Sequence, residues 1–297
     1  MSPLVSVIVP SYNHARFIEK RLKSILEQNY QDFELIILDD VSPDNSRDII
    51  ENYKYHPKVS HVIFNNINSG STFKQWNKGV ELAKGKYIWI AESDDVAEYD
   101  FLSQMVEALK SNNDVVIAFC QSSKMDEGDK ITGSWLEWTK SLKHSEKFNN
   151  PFFMEGRKFI HKYLIYRNVI PNASAVLFRK DTYLKVGGPA VDLRTNGDWE
   201  LWLKMLMIGN VYYCNRIMNN FRYHNGSVIA KASSNQESKL KTKIRLIQND
   251  IDMRNCFKQY LTNNCSDARA ITKLNVKEIK KSLLIFNTFN FLRKFFK

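Results

Sequence analysis

The sequence is short of the residues that make flexible linkers: 11 glycines and 7 prolines among 297 residues. Cysteine is scarcer still. Cys120, Cys214, Cys256 and Cys265 form no Cys-x-x-Cys pair and are too scattered for a zinc site or a disulfide framework. They are expected to be reduced thiols of a cytoplasmic protein. No stretch approaches the ~20 apolar residues of a spanning helix. No basic segment precedes the first apolar run, residues 5–9, which stops at Pro10, so no signal peptide is expected. Two phosphate-binding signatures are missing as well. No G-x-G-x-x-G follows the first apolar run, and no G-x-x-x-x-G-K-[ST] occurs, which disfavours a dinucleotide site and a P-loop. Negative charge is also short. Lys and Arg number 43 against 32 Asp and Glu, a net charge of +11. That balance favours an anionic partner, whether nucleotide phosphates, nucleic acid or an acidic membrane surface.

What remains is an ordinary globular composition, 43% hydrophobic and 25% charged. The length suits one large domain or a domain with a smaller appendage. Short β-branched or apolar runs at residues 4–9, 33–38, 59–64, 86–91 and 115–120 predict strands. Between them, apolar residues at helical spacing predict helices, the first carrying Ile18, Leu22, Ile25 and Leu26 behind Asn13 as a candidate cap. The alternation implies an α/β fold, a Rossmann-like, mostly parallel sheet flanked by helices. Ligands of such sheets bind outside the carboxyl ends of the strands.

Residues 121–150 read as a loop-rich insertion carrying Trp135 and Trp138. A helix from Glu155, a strand over 174–179, an apolar helix over 198–208 and a last strand near Tyr212 follow. Beyond about residue 230 the chain turns polar, lysine-rich and helical in period. The expected domains are therefore 1–230, in two halves that meet at about residues 120 and 121, and a basic helical C-terminal extension over 231–297.

Two acidic clusters fall at predicted strand ends: Asp39-Asp40, and Glu92-Ser93-Asp94-Asp95. Gathered carboxylates repel one another. A divalent cation among them removes that cost, and hard oxygen ligands suit Mg²⁺ or Mn²⁺. The plain alternative is a set of solvated loops and helix caps.

Three segments carry a resemblance: Val5-Ser6-Val7-Ile8-Val9-Pro10-Ser11-Tyr12-Asn13, Leu35-Ile36-Ile37-Leu38-Asp39-Asp40-Val41-Ser42, and residues 83–95 ending in Glu92-Ser93-Asp94-Asp95. In this order they resemble the family 2 glycosyltransferases, over about residues 4–229. The resemblance implies a GT-A fold and an inverting, metal-dependent transfer from a nucleotide diphosphate sugar, with UDP as the expected nucleotide and Mn²⁺ or Mg²⁺ as cofactor. By the same likeness Pro10 and Tyr12 line the nucleobase and Asp39 meets the uracil or ribose. Asn68 and Gly70 border the nucleotide, Asp94 turns to the ribose, and Asp95 binds the metal. Many relatives carry an arginine where this chain has Trp76, which shifts attention to Lys74 or Lys78 as diphosphate contacts.

In the second half, Gly197-Asp198-Trp199-Glu200 opens the apolar helix. Asp198 is a natural N-cap. By resemblance it is also the general base, with Glu200 as second choice on another face of the helix. His224 resembles the family's late histidine at the metal or diphosphate, and the neighbouring Arg222 is either a phosphate contact or a solvated strand residue. Trp135, Trp138, Trp199 and Trp202 are candidate sugar platforms, Trp202 more simply a core residue. Between residues 271 and 297 seven basic side chains stand against Glu278 alone, interleaved with phenylalanines. That segment suits either an anionic membrane surface or packing on the domain. The partners so implied are a UDP-sugar and a saccharide or lipid-linked saccharide acceptor of surface polysaccharide or glycolipid synthesis, with no nucleic acid. Such an enzyme would work in the cytoplasm, at the inner face of the membrane. The rival readings are a sugar nucleotidyltransferase, which would want a glycine-rich basic segment after the first strand, and a non-catalytic nucleotide- or nucleic-acid-binding protein.

Overall fold

A computed structural model describes residues 2–224 and 239–264. The first half runs β1 (Val5–Ser11), α1 (Ala15–Leu26), β2 (Phe33–Asp39), α2 (Ser46–Glu51), β3 (Val59–Phe64), α3 (Thr72–Leu82) and β4 (Tyr87–Ile90). After these come β5 (Val96–Ala97), α4 (Phe101–Ser111), β6 (Val115–Met125), β7 (Ile131–Ser134), α5 (Leu136–Thr139), β8 (Phe152–Met154) and α6 (Gly156–Phe159). The chain then forms β9 (Val176–Arg179), α7 (Lys180–Lys185), α8 (Gly197–Leu206), β10 (Asn210–Arg222) and α9 (Lys239–Asn264).

One sheet holds all ten strands, in the order β3-β2-β1-β4-β9-β6-β10-β5, with β7 on β6 and β8 on β10. β1, β2 and β4 are buried along their whole length. Unbroken burial of this kind, on mostly apolar runs, belongs to strands covered on both faces. The parallel character expected of the sheet holds across β3-β2-β1-β4 and between β6 and β10. β9 instead enters antiparallel between β4 and β6. The long excursion after β6 lets the chain return to the sheet in the opposite sense.

Alternate residues of the central strands feed two cores. Val7 and Val9 pack with Leu22, Trp89 and Met105 under α1 and α4. Ile8, Ile36 and Ile88 pack with Trp76, Phe178 and Trp202 under α3 and α8.

One sequence expectation needs revision here. Residues 121–150 are not mainly loop: β6 runs on to Met125 and pairs with β7. The polar run Gln121-Ser122-Ser123 masked that strand. Its side chains are buried but bonded, Gln121 to Tyr213, Ser122 to Asn172 and Ser123 to Asn220. The boundary set near residue 230 falls among residues outside the described set, and α9 beyond it shares the main core. Its Met253, Phe257 and Leu261 are fully buried in the same cluster as Trp199 and Trp202. The basic segment at 271–297 lies outside the described residues. No helix among the described residues is long and apolar enough to cross a membrane.

Candidate active site

The carboxyl ends of β1, β2 and β4 lie side by side, because β1 pairs with both of the others. Their loops are knitted together. Asn13 N–H donates to Ser42 Oγ (3.0 Å) and His14 N–H to Ser46 Oγ (3.2 Å). Asp44 Oδ2 accepts from Ala15 N–H (2.8 Å), so the cap of α1 comes from the loop after β2 and not from Asn13.

The two acids after β2 differ in use. Asp40 accepts from Asn65 Nδ2, Gln75 Nε2 and the Ser69 N–H and hydroxyl. It organises the loop after β3, a structural role. In that loop Asn68 Nδ2 donates to the Asp40 carbonyl (2.6 Å), and Gly70 holds the left-handed φ of +70° that glycine takes without strain. Asp39 is fully buried, with Oδ1 bonded to Arg47 Nε (2.7 Å) and to Ser42 N–H (3.1 Å). Its Oδ2 is buried without a partner. An orphaned buried acceptor is costly and calls for an incoming donor. Pro10 is buried at the end of β1, and Tyr12 is 47% exposed above it.

After β4 the acids crowd. Glu92 receives Trp76 Nε1 (2.9 Å), and burial with repulsion from Asp94 pushes its carboxyl up to about 8. The tryptophan that stands where many relatives carry an arginine thus donates to a carboxyl that its surroundings push up, and opposes that rise. Burial and the Asp94 charge likewise raise Asp95, against the pull of Arg21. Arg21 is fully buried over Trp89 and pulled down to about 10 by burial, opposed by the acids around it. Burial acts upward on Asp94 too, but the hydrogen bond and charges of His224 and His14 outweigh it and keep Asp94 low.

Asp95, the expected metal ligand, is engaged by protein donors on both oxygens. Its Oδ1 accepts from Arg222 N–H (2.9 Å) and its Oδ2 from Asn172 Nδ2 (2.7 Å), and it is buried. Asp94 is the one that turns to His224, whose Nε2 lies 3.1 Å from Asp94 Oδ2. His14, Asp94 and His224 each offer a ligand atom within 4.8 Å of the others, the one such trio among the described residues. Two imidazoles and a carboxylate are a fitting donor set for a divalent cation. His14 was missed because a lone histidine beside Asn13 carries no local signal.

The second wall rises from α8. Asn196, at φ +64°, turns the chain into the helix, and a Cβ on Gly197 would strike the Phe73 ring at 2.5 Å. Asp198 follows, partly buried, its Oδ2 accepting from Asn168 Nδ2 (3.0 Å). Burial raises its carboxyl, while the Asn168 and Trp199 hydrogen bonds pull the other way. Glu200 faces elsewhere, paired with Lys204 (3.0 Å) and the Ala190 N–H.

One short segment joins the walls. Asn168 holds Asp198, Asn172 holds Asp95, and Ser174 Oγ accepts from Glu92 N–H (3.1 Å). None of these three was anticipated. The remaining candidates divide. Arg222 is neither solvated nor free for phosphate: it is spent on the Asp94 and Asp126 carbonyls and on Asp129. Lys74 and Lys78 bond Ser69 O and Asn65 Oδ1 in the loop after β3. Trp199 and Trp202 are core residues. Trp138 stays 45% exposed, its Nε1 on the carbonyl of Asn168, the residue that bonds Asp198.

A family model described as "Glycosyl transferase family 2" matches residues 6–168, just over half of the chain. A putative teichuronic acid biosynthesis glycosyltransferase, TuaG, of Bacillus subtilis (strain 168) is 27% identical over 268 residues, covering 88% of this chain and 96% of that protein. Among solved structures, S. aureus TarS 1-349 in complex with UDP-GlcNAc matches with a TM-score of 0.62 at 17% identity, over 91% of this chain and 74% of that one. The mannosyltransferase PcManGT from Pyrobaculum calidifontis, in complex with GDP-Man and Mn²⁺, matches at 0.59 and 18%, over 96% and 74%. At such identities these two show the fold, a central sheet flanked by helices of the GT-A type.

Proposed function

The chain belongs to glycosyl transferase family 2, and on that premise we propose that it transfers a sugar from a UDP-sugar to an acceptor hydroxyl with inversion at the anomeric carbon. The carrying observation is the segment of Asn168, Asn172 and Ser174, which fixes the raised Asp198 carboxylate and the acid cluster to one support.

Inversion needs one base on the face opposite the leaving group. The acceptor hydroxyl donates to Asp198, attacks the anomeric carbon and passes its proton to that carboxylate as the new bond forms. The bond from the anomeric carbon to the diphosphate breaks, and its electron pair leaves with UDP. Asn168 fixes the plane of the Asp198 carboxylate. Asp39 offers its unpartnered Oδ2 to a donor N–H or hydroxyl of the nucleoside. Tyr12 and Pro10 form the nucleobase wall, and Asn68 and Gly70 the border beside it.

We assign the cation, Mn²⁺ or Mg²⁺, to Asp94 and His224 in place of Asp95, whose two oxygens already accept hydrogen bonds. When bound, such a cation offsets the negative charge that grows on the diphosphate. Likeness to a relative named for teichuronic acid biosynthesis supports a saccharide or lipid-linked saccharide acceptor in surface polysaccharide synthesis. In this reading the enzyme works at the cytoplasmic face of the membrane.

The test is nucleotide release. With Mn²⁺, a saccharide acceptor and a panel of UDP- and GDP-sugars, a UDP-sugar should yield UDP. No release from any donor, with no metal-dependent nucleotide binding, discards the proposal.

A further inference from the structure

The reaction just described leaves His14 without a task, although it stands beside Asp94 and His224. It precedes α1, the N-cap place, where Ser, Thr, Asp or Asn normally satisfies the first free N–H groups of a helix. The His14 side chain makes no capping bond. Asp44 caps from outside, accepting the Ala15 N–H, and Ser46 Oγ accepts the His14 N–H. The backbone is thus pinned by a neighbouring loop, and the imidazole stands at the Asp94–His224 pair. There Ser93 Oγ lies 2.8 Å from His14 Nδ1, and the ring meets that of His224 edge-on with centroids 5.2 Å apart. A ligating histidine is commonly fixed in this way by a partner on its other face.

We propose that His14 is a third protein ligand of the divalent cation, so that the donor set is two imidazoles and one carboxylate, and that this set selects Mn²⁺ over Mg²⁺. Imidazole nitrogen suits transition metals, whereas Mg²⁺ prefers oxygen and keeps its waters. Asp94 alone would discriminate little; the two imidazoles supply the preference. A second imidazole also lets the site hold Mn²⁺ before the donor arrives. His14 can act so only if the site works with a cation, as proposed above, and the experiment separates the two.

The full chain is titrated with Mn²⁺ by the loss of the free ion's electron paramagnetic resonance signal, with and without UDP and with a roughly hundredfold excess of Mg²⁺. The wild-type chain should hold Mn²⁺ against Mg²⁺. H14Q should bind Mn²⁺ at least about tenfold more weakly and lose one directly bonded imidazole nitrogen from the electron spin echo modulation. H14D, a good cap that supplies a second carboxylate, should restore binding but let Mg²⁺ compete. H61A, which alters a histidine on β3, should match the wild type. Wild-type affinity and modulation in H14Q overturn the His14 assignment and leave metal-dependent transfer standing. Failure of the wild-type chain to bind Mn²⁺ even with UDP overturns both. Equal competition by Mg²⁺ in the wild type overturns the selectivity.

Discussion

On the β4 wall, Glu92, Asp94 and Asp95 crowd together, held by Trp76, by His224, and by Asn172 with the Arg222 N–H, all from other elements. On the α8 wall a single carboxylate, Asp198, is held by one side-chain amide. The crowded acids shift apart: Glu92 and Asp95 move up while Asp94 stays low, because like charges in a buried place cannot all ionise. The lone acid is raised by burial alone. A wall of many groups suits a diphosphate and its cation. A wall with one raised carboxylate suits accepting a proton.

The sharpest way to break this contrast is D198N. Transfer should fall by roughly 10²–10⁴-fold, the usual share of a general base, while UDP affinity by calorimetry stays near wild type. If UDP affinity falls in parallel, the walls are not separable. D94N works from the other side. It should weaken Mn²⁺ binding by at least about tenfold, measured by titration, and carry turnover down with it, whereas D198N should bind Mn²⁺ normally. W76F tests the support of the crowded wall. It leaves buried Glu92 without its donor and should cost about 1–3 kcal/mol in denaturant unfolding. An unchanged midpoint would mean that Glu92 finds another partner.

N168A should have the mildest effect. The Asn168 N–H stabilises the charged form of Asp198, so its loss raises the carboxyl further. The base works only when ionised, and the acid limb of the pH profile should therefore move to higher pH with the alkaline limb unchanged. A limb that stays in place would remove Asn168 from its supporting role.

The same contrast explains what the sequence made legible. The donor half is written locally: apolar runs end in acid pairs, and strand ends follow at once. Adjacency could not say which of Asp94 and Asp95 turns inward, since that depends on where Arg222 and Asn172 arrive, 127 and 77 residues away. Asp40 looked like part of the chemistry and proved to be a loop organiser for the same reason. Asn13 looked like the cap of α1, but the supplier was Asp44, which no pattern around residue 13 could reveal. The helix that carries Asp198 was legible because it is strongly apolar and begins abruptly. Asn168 was not, for its meaning lies entirely in a contact across 30 residues.

The docking of α9 against α8 has a consequence for how the enzyme comes into being. Met253, Phe257 and Leu261 fill the core behind Trp199, and Arg254 Nη1 bonds the Ile165 carbonyl (2.7 Å) near the segment that carries Asn168. Chains fold from the N-terminus as they leave the ribosome. The residues of β1, β2 and β4 thus leave the ribosome well before the helix that completes the core they share. A chain stalled short of residue 253 would keep every group named for chemistry and still lack the side chains that complete the core around Trp199 and Trp202.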